Sequence, residues 1–143
     1  MKKSKVMEKS CGAVLYKTVD GVPYYVLVLG SVFGFPKGHV EGSETEEETA
    51  AREIKEETGV DAVLDTGFRR VVEYRSPRKR GGRKTVVFFL ARYGGDVSPR
   101  AGHEIKGLVV RPYEQAKLLL RHEALRSVLH DADEYIRAQA LPV

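Results

Sequence analysis

The sequence contains a single cysteine, Cys11, among its 143 residues. One cysteine excludes a disulfide within the chain, and no cysteine pairs occur at zinc-finger spacing. A chain that does not depend on disulfides is consistent with the reducing environment of the cytoplasm.

Long apolar runs are also missing. The only extended one, residues 24–29, is too short to span a bilayer. Residues 1–5 are basic, but no apolar segment or small-residue cleavage pattern follows them. We therefore expect a soluble protein of the cytoplasm with no membrane insertion.

The remaining composition is that of a folded domain. Hydrophobic residues make up 42% of the chain, enough for an ordinary core, which argues against intrinsic disorder and against a coiled coil. At this length we expect residues 1–143 to form one domain.

The formal net charge of +4 conceals two blocks of opposite sign. The acidic block, residues 41–57, contains eight glutamates against two cations, a local charge of −6. The basic block, residues 69–84, contains eight arginines or lysines against one glutamate, a local charge of +7. A functional interpretation has to account for both blocks.

Hydrophobic periodicity predicts alternating strands and helices. Strands are expected at residues 10–17, 24–29, 68–75, 84–93 and 108–110, and helices at residues 45–58, 112–120 and 123–139. The segments 30–38, 75–83 and 94–102 have the glycine-rich or basic composition of loops. This order predicts an α/β fold with a mixed sheet and helices on both faces.

Capping signals mark the ends of the first helix. Either Ser43 with Glu46 or Thr45 with Glu48 can form a capping box at its start. Gly59 is suited to be its C-terminal cap.

Three glutamates of the acidic block fall on one face of that helix. Glu53, Glu56 and Glu57 are spaced i, i+3 and i+4, so their carboxylates lie close together and repel one another. The helix dipole offers no compensation in the C-terminal half. A hard divalent cation such as Mg²⁺ would relieve the repulsion, because it prefers oxygen ligands. The alternative interpretation is a solvated charged face.

The segment 38–60 resembles the Nudix box, GX5EX7REUXEEXGU, in which U is a bulky aliphatic residue. Its fixed positions are filled by Gly38, Glu44, Arg52, Glu53, Ile54, Glu56, Glu57, Gly59 and Val60. The resemblance implies the Nudix fold, an α/β/α sandwich. It also implies hydrolysis of a nucleoside diphosphate linked to another moiety, with Mg²⁺ or Mn²⁺ as cofactor.

The same resemblance implies roles for individual residues. The implied metal ligands are Glu53, Glu56, Glu57 and a backbone oxygen near Gly38. Arg52 would orient and partly neutralise the carboxylates, and Glu44 would tie the loop to the helix. Metal ions lower the pKa of bound water and neutralise charge on phosphate oxygens, while a carboxylate positions or deprotonates the attacking water. Which glutamate is the base stays open.

Two further segments resemble the asymmetrical diadenosine tetraphosphate hydrolases of this family. Residues 35–41, FPKGHVE, contain their PKGHVE run, which implies that Lys37 and His39 flank a polyphosphate. Residues 84–91, KTVVFFLA, resemble their KTVxYxLA strand, in which the aromatic corresponding to Phe88 helps to hold an adenine ring. The alternatives are a surface lysine, a hydrogen-bonded loop histidine and a core phenylalanine.

A third segment, GHE at residues 102–104, resembles the same group and implies that Glu104 is a carboxylate outside the box that completes metal binding or catalysis. Two positions depart from the group's pattern. Val110 stands where a tryptophan is usual, and Gly42–Ser43 replaces Pro-Gly. The missing tryptophan bears on how a base is held.

The basic block is a candidate phosphate-binding segment next to the metal site that the resemblance implies. Arg pairs bidentately with phosphate and Lys binds it as a point charge, so Arg78, Lys79, Arg80 and Lys84 are candidate contacts for a polyphosphate. RNA 5′ ends or an inositol polyphosphate would be attracted by the same charges. A solvated loop is the alternative.

Taken together, these features predict a MutT-like, Mg²⁺-dependent Nudix hydrolase whose partner is a small nucleotide polyphosphate such as diadenosine tetraphosphate. Its catalytic residues would be Arg52, Glu53, Glu57 and Glu104. The enzymatic alternatives are RNA 5′ ends, nucleoside triphosphates and diphosphoinositol polyphosphates. The non-enzymatic alternative is a regulatory module that binds a nucleotide or RNA, against which the intact box argues.

Overall fold

A mixed β-sheet lies at the centre of the computed structural model, which describes residues 7–75, 81–99 and 105–140. The strands are β1 Met7–Val19, β2 Val22–Leu29, β3 Phe33–Gly34, β4 Lys37–His39, β5 Val63–Arg75, β6 Arg83–Arg92 and β7 Gly107–Pro112. The helices are α1 Glu46–Thr58, α2 Tyr113–Leu119 and α3 Glu123–Ala140.

The strands β1 and β6 form the middle of the sheet. Hydrogen-bonded neighbours follow the order β3, β2, β1, β6, β5, while β4 pairs with β1 and β7 pairs with β2. β1 and β6 are parallel, and β1 and β2 form an antiparallel hairpin. Its turn uses Asp20 and Gly21 with φ of 50° and 79°, a conformation that Asp-Gly adopts readily. The predicted mixed sheet is confirmed.

Hydrophobic residues are buried on both faces, because successive side chains of a strand point to opposite sides. One face carries a core with α2 and α3, which includes Val14, Leu27, Phe35, Phe68, Val86, Phe88, Leu90, Leu129 and Ile136. The other carries a core with α1, which includes Cys11, Ala13, Leu15, Val26, Ile54, Val87 and Phe89. The layers are those of the expected α/β/α sandwich.

Helix α1 begins and ends where its capping residues predict. The hydroxyl of Thr45 accepts a hydrogen bond from the backbone of Glu48 at 3.1 Å, and the Glu48 carboxylate accepts the Thr45 N–H at 2.8 Å. Of the two candidate capping boxes, this is the one that forms. Gly59 ends the helix with φ of 83°, which glycine adopts without a Cβ penalty.

Two segments differ from the sequence-based assignment. The expected loop at residues 30–38 contains β3 and most of β4, which are too short to produce a periodic pattern. β5 begins at Val63, earlier than predicted, because a register shift between Asp65 and Arg69 interrupts the alternation of its side chains.

The expected loops 75–83 and 94–102 lie partly outside the described residues. Within the ranges that the structure does describe, no helix is both long and apolar enough to cross a bilayer.

Candidate active site

The site is built where α1 passes the short strand β4. β4 pairs with β1 so that Gly38 lies opposite Cys11 and Lys37 opposite Gly12. A Cβ on Gly38 would lie 2.1 Å from the carboxyl carbon of Glu53. The backbone of β4 therefore runs directly against a carboxylate of α1, and only glycine leaves room for this approach.

Arg52 connects the carboxylates of this region. Its Nε and Nη2 donate to the two oxygens of Glu44 at 2.7 and 3.0 Å. Its Nη1 donates to Glu53 at 2.8 Å and to Glu56 at 2.7 Å. Nη2 also donates to the carbonyl of His39 at 3.0 Å. One planar guanidinium thus fixes three glutamates and the end of β4 relative to one another.

Glu44 is held as an anion. Besides Arg52, it accepts hydrogen bonds from the backbone N–H of Glu41 at 3.0 Å and from the hydroxyl of Thr49 at 2.9 Å. These donors, with the Arg52 guanidinium foremost, lower the pKa of Glu44 to about 2. Glu44 is therefore an anchor for Arg52 and stays ionised at neutral pH.

Whereas the pKa of Glu44 is lowered, the pKa values of Glu53 and Glu57 are raised. Burial is the largest cause that raises the pKa of Glu53, although the Arg52 guanidinium opposes it. Burial, followed by the charge of Glu53, raises the pKa of Glu57 to about 7. The Oε1 atom of Glu57 is buried and has no hydrogen-bond partner among the described residues. Two partly desolvated carboxylates thus lie close together, and that of Glu57 has an acceptor oxygen without a partner among the described residues.

Lys37 lies next to this carboxylate pair, and Lys84 lies next to Lys37. The backbone N–H and the ammonium of Lys37 both act to lower the pKa of Glu57, against its burial. Burial, and then the neighbouring Lys84 ammonium, lower the pKa of Lys37 itself. Two cations held this close repel unless an anion lies between or beside them.

The residues present fit a divalent cation. Glu57 offers a buried oxygen without a partner, Glu53 is adjacent, and the β4 backbone at Gly38 lies against that carboxylate. Oxygen donors of this kind are what Mg²⁺ and Mn²⁺ bind. Glu56 is more exposed, at 39%, and its Oε2 faces Arg52.

Another group of potential ligands lies on α3. His130, Asp131 and Glu134 place their ligand atoms within 4.8 Å of one another. However, Asp131 pairs with Arg70 at 3.1 Å and His130 with Glu134 at 3.1 Å. This exposed group is satisfied by protein partners.

The structure buries one predicted substrate contact, Phe88, and leaves another, His39, exposed. Phe88 is completely buried, and its ring packs edge-on against Phe35 with centroids 5.4 Å apart. It lies in the core, as the alternative interpretation had it, and offers no free face to a base. His39 has an exposed side chain, and its carbonyl is a partner of Arg52.

Sequence reasoning missed two aromatic residues near the lysines. Tyr74 lies directly opposite Lys84 across the β5–β6 pair, so both side chains are on the same face of the sheet. The half-buried Tyr74 ring has its centroid 6.4 Å from that of His122, at an angle of 67°. The cross-strand register is the signal that identifies Tyr74, and it depends on the bulge in β5.

Four predicted site residues, Arg78, Lys79, Arg80 and Glu104, lie outside the described residues. Val110, which stands in the place of the usual tryptophan, is half-buried in β7 and packs against the α1-side core.

Comparison with known proteins identifies the class. The family model described as NUDIX domain matches residues 19–132, a range that includes the whole of α1 and β4. The chain belongs to the Nudix family.

Particular relatives add detail. The chain is 30% identical over 142 residues to the asymmetrical bis(5′-nucleosyl)-tetraphosphatase of Rattus norvegicus, covering 90% of this chain and 95% of the relative. It is 36% identical over 140 residues to the 8-oxo-(d)GTP phosphatase of Mycolicibacterium smegmatis, covering 89% of this chain and 42% of that protein. A binary complex of the C. elegans Ap4A hydrolase superposes with a TM-score of 0.82 at 24% identity, covering 92% of this chain and 98% of the other.

Proposed function

We propose that the protein hydrolyses dinucleoside polyphosphates, such as diadenosine tetraphosphate, by attack of water on phosphorus. The observation that carries this proposal is the carboxylate cluster of α1, in which Arg52 holds Glu53 and Glu56 at 2.8 and 2.7 Å and Oε1 of Glu57 is buried without a partner among the described residues. Lys37 of β4 lies beside Glu57, and Lys84 lies beside Lys37. Carboxylates suit a metal and lysines suit phosphate, so the arrangement matches a metal-bound phosphoanhydride. The similarity to the rat tetraphosphatase over nearly the full length of both chains supports the same substrate class.

The cofactor in this proposal is Mg²⁺, with Mn²⁺ as a substitute. Glu53, Glu56, Glu57 and the backbone at Gly38 would hold it, with Glu104 as a further carboxylate from outside the box. When bound, such an ion supplies a water of lowered pKa and offsets the charge that builds on the phosphate oxygens.

The chain's own residues would then position the substrate. Lys37 and Lys84 would neutralise phosphate charge, and His39 lies exposed at the end of β4. Arg52 orients Glu53 through its 2.8 Å hydrogen bond and opposes the rise in the pKa of Glu53 that burial causes. A carboxylate of the site would accept a proton from the attacking water, and Glu53 and Glu57 are the candidates.

The base of the nucleotide needs an aromatic contact other than Phe88. We propose Tyr74 and His122, since Tyr74 is the cross-strand partner of Lys84 and the two rings lie close together. A base stacks on an aromatic ring with little sequence selectivity and gains about 1–3 kcal/mol. In this scheme the phosphates follow Lys84 and Lys37 from Tyr74 toward the carboxylates.

A nucleoside triphosphate is the second candidate substrate. The similarity to the mycobacterial 8-oxo-(d)GTP phosphatase favours it, and the replacement of the usual tryptophan by Val110 changes a position that bears on base binding. RNA 5′ ends and diphosphoinositol polyphosphates are further alternative substrates that the basic block, residues 69–84, would attract. The non-enzymatic alternative is a module that binds a nucleotide without catalysis.

A substrate panel with Mg²⁺ tests the proposal. The panel contains dinucleoside polyphosphates of increasing length, nucleoside triphosphates with and without an oxidised base, capped RNA and a diphosphoinositol polyphosphate. We expect the highest kcat/KM for a dinucleoside tetraphosphate. A higher value for a triphosphate would transfer the assignment to the second candidate, and no turnover of any compound would favour the binding module.

The predicted loop at residues 75–83 of the basic block allows a test of the preference for polyphosphate length. Replacing Arg78, Lys79 and Arg80 together with alanine should raise KM more for long polyphosphates than for short ones, because fewer cations remain for the additional phosphates. Equal changes in KM for all lengths would contradict a phosphate contact by this loop.

A further inference from the structure

Thr49 is a completely buried polar residue in α1. Its hydroxyl lies 2.9 Å from Oε1 of Glu44 and 3.1 Å from the carbonyl of Thr45. Position 49 is one of the variable positions between the fixed glutamate and arginine of the Nudix box, so the family pattern assigns it no role.

The geometry indicates which acceptor takes the hydroxyl proton. A threonine hydroxyl has one proton to donate. The carbonyl of Thr45 already accepts the backbone N–H of Thr49 at 3.0 Å within the helix. The Glu44 oxygen is closer and charged, and charge-assisted hydrogen bonds are the stronger kind. The proton is therefore directed at Glu44.

We propose that Thr49 is a positioning residue that sets the orientation of the Glu44 carboxylate and, through it, of Arg52. This inference rests on the proposed hydrolytic function. It predicts that the Thr49 hydroxyl contributes to catalysis although it contacts neither substrate nor metal.

The contacts form a continuous chain. Glu44 meets Arg52 through both of its oxygens, at 2.7 and 3.0 Å. Because the guanidinium is planar and rigid, a rotation of the Glu44 carboxylate turns the opposite end of Arg52 as well. That end holds Glu53 and Glu56 at 2.8 and 2.7 Å. A change at Thr49 thereby reaches the carboxylates that face the phosphates.

A space-filling role makes a different prediction. Valine has nearly the shape of threonine and would fill the same volume without a buried hydroxyl that needs a partner. If Thr49 only filled space, valine would serve equally well, whereas the proposed role requires the hydroxyl.

The experiment compares Thr49→Val with Thr49→Ser, and uses Thr58→Val as a matched control. Thr58 is an equally buried threonine of α1 whose hydroxyl donates to the backbone carbonyl of Ile54 at 2.7 Å. Partners that orient metal ligands typically contribute about 10–100-fold. We expect Thr49→Val to lower kcat about tenfold with KM unchanged, and to weaken the binding of Mn²⁺ alone, measured by electron paramagnetic resonance, to a similar extent.

Thr49→Ser and Thr58→Val should keep kcat and Mn²⁺ affinity within about twofold of the parent protein, by the same reasoning. Unchanged kcat and Mn²⁺ affinity in Thr49→Val, or an equal loss in Thr58→Val, would overturn the positioning role. Failure of the parent protein to hydrolyse any dinucleoside polyphosphate would overturn the proposed function instead. In that case a selective loss of Mn²⁺ affinity in Thr49→Val would still support the positioning of Arg52.

Discussion

Gly38 provides the most direct test of the site geometry. A Cβ at this position would lie 2.1 Å from the carboxyl carbon of Glu53 and 2.2 Å from its Oε2. Non-bonded carbon atoms approach to about 3.5–4.0 Å, so Gly38→Ala has to displace the Glu53 carboxylate by roughly 1.5 Å. The displacement removes the 2.8 Å hydrogen bond from Arg52 to the same Oε2. A misplacement of about 1 Å in a catalytic group costs roughly 100-fold, and we expect kcat to fall by about that factor.

The assay is steady-state hydrolysis of a dinucleoside polyphosphate, together with thermal unfolding to verify that the variant is folded. Gly94→Ala is the matched control, because a Cβ on Gly94 would meet no atom within 4 Å, and its kcat should equal that of the parent protein. A folded Gly38→Ala variant with a kcat within about twofold of the parent, far from the factor expected for misplacement, would refute the close approach of β4 to Glu53.

Further expectations concern a catalytic carboxylate and two structural contacts. Glu57→Gln should lower kcat by about three orders of magnitude or more, since it removes a charged metal ligand where charge builds in the reaction. Steady-state kinetics with Mg²⁺ are the measurement, and an unaffected kcat would contradict the metal assignment. Tyr25→Phe removes the 2.5 Å hydrogen bond to the buried Asp133 and should cost about 2 kcal/mol in urea unfolding while kcat stays constant. The ion pairs of Glu46, with Arg69 foremost, lower its pKa from 4.5 to about 2, so their contribution of about 1 kcal/mol is complete above pH 4.5 and disappears as the pH falls toward 2. Glu46→Gln should reduce the loss of unfolding free energy as the pH falls from 4.5 toward 2. An unchanged loss would exclude these ion pairs as its cause.

The sequence contained enough to predict the layers of the fold. Capping residues are local signals, and Thr45, Glu48 and Gly59 act as such signals require. The short strands β3 and β4 were missed, because pairing with a neighbouring strand makes them strands and two or three residues show no period. β4 is nevertheless the element that brings Gly38 to Glu53.

The sequence predicted which side chains lie close together where spacing along one helix decides it. Arg52, Glu53 and Glu56 are neighbours in sequence and hydrogen-bond as neighbours in space. The sequence predicted less about the surroundings of Phe88 and Tyr74. The alternation of side chains in a strand shows which residues share a face, but not which of them other elements cover. Phe88 is covered in the core, whereas Tyr74 is only half-buried near His122.

The structure divides the acidic block by function. Glu48 completes the helix cap. Glu44 and Glu46 are paired with cations, and both have a pKa lowered to about 2. Glu53 and Glu57 have raised pKa values, with burial as the main cause. Groups whose environment opposes their charge cluster at functional sites, so the raised pKa values of Glu53 and Glu57 favour their proposed role as metal ligands.

The basic block divides in the same way. Arg69, Arg70 and Arg83 pair with carboxylates of α1, α3 and β5, so these cations stabilise contacts between elements. Lys84 instead approaches Lys37, a second cation, and the pKa of Lys37 is lowered in consequence of burial and of this neighbour. The two ammonium groups repel each other, and an anion bound there would relieve that repulsion. In the proposed function, Glu53 and Glu57 therefore serve the divalent cation, and Lys37 and Lys84 serve the phosphates.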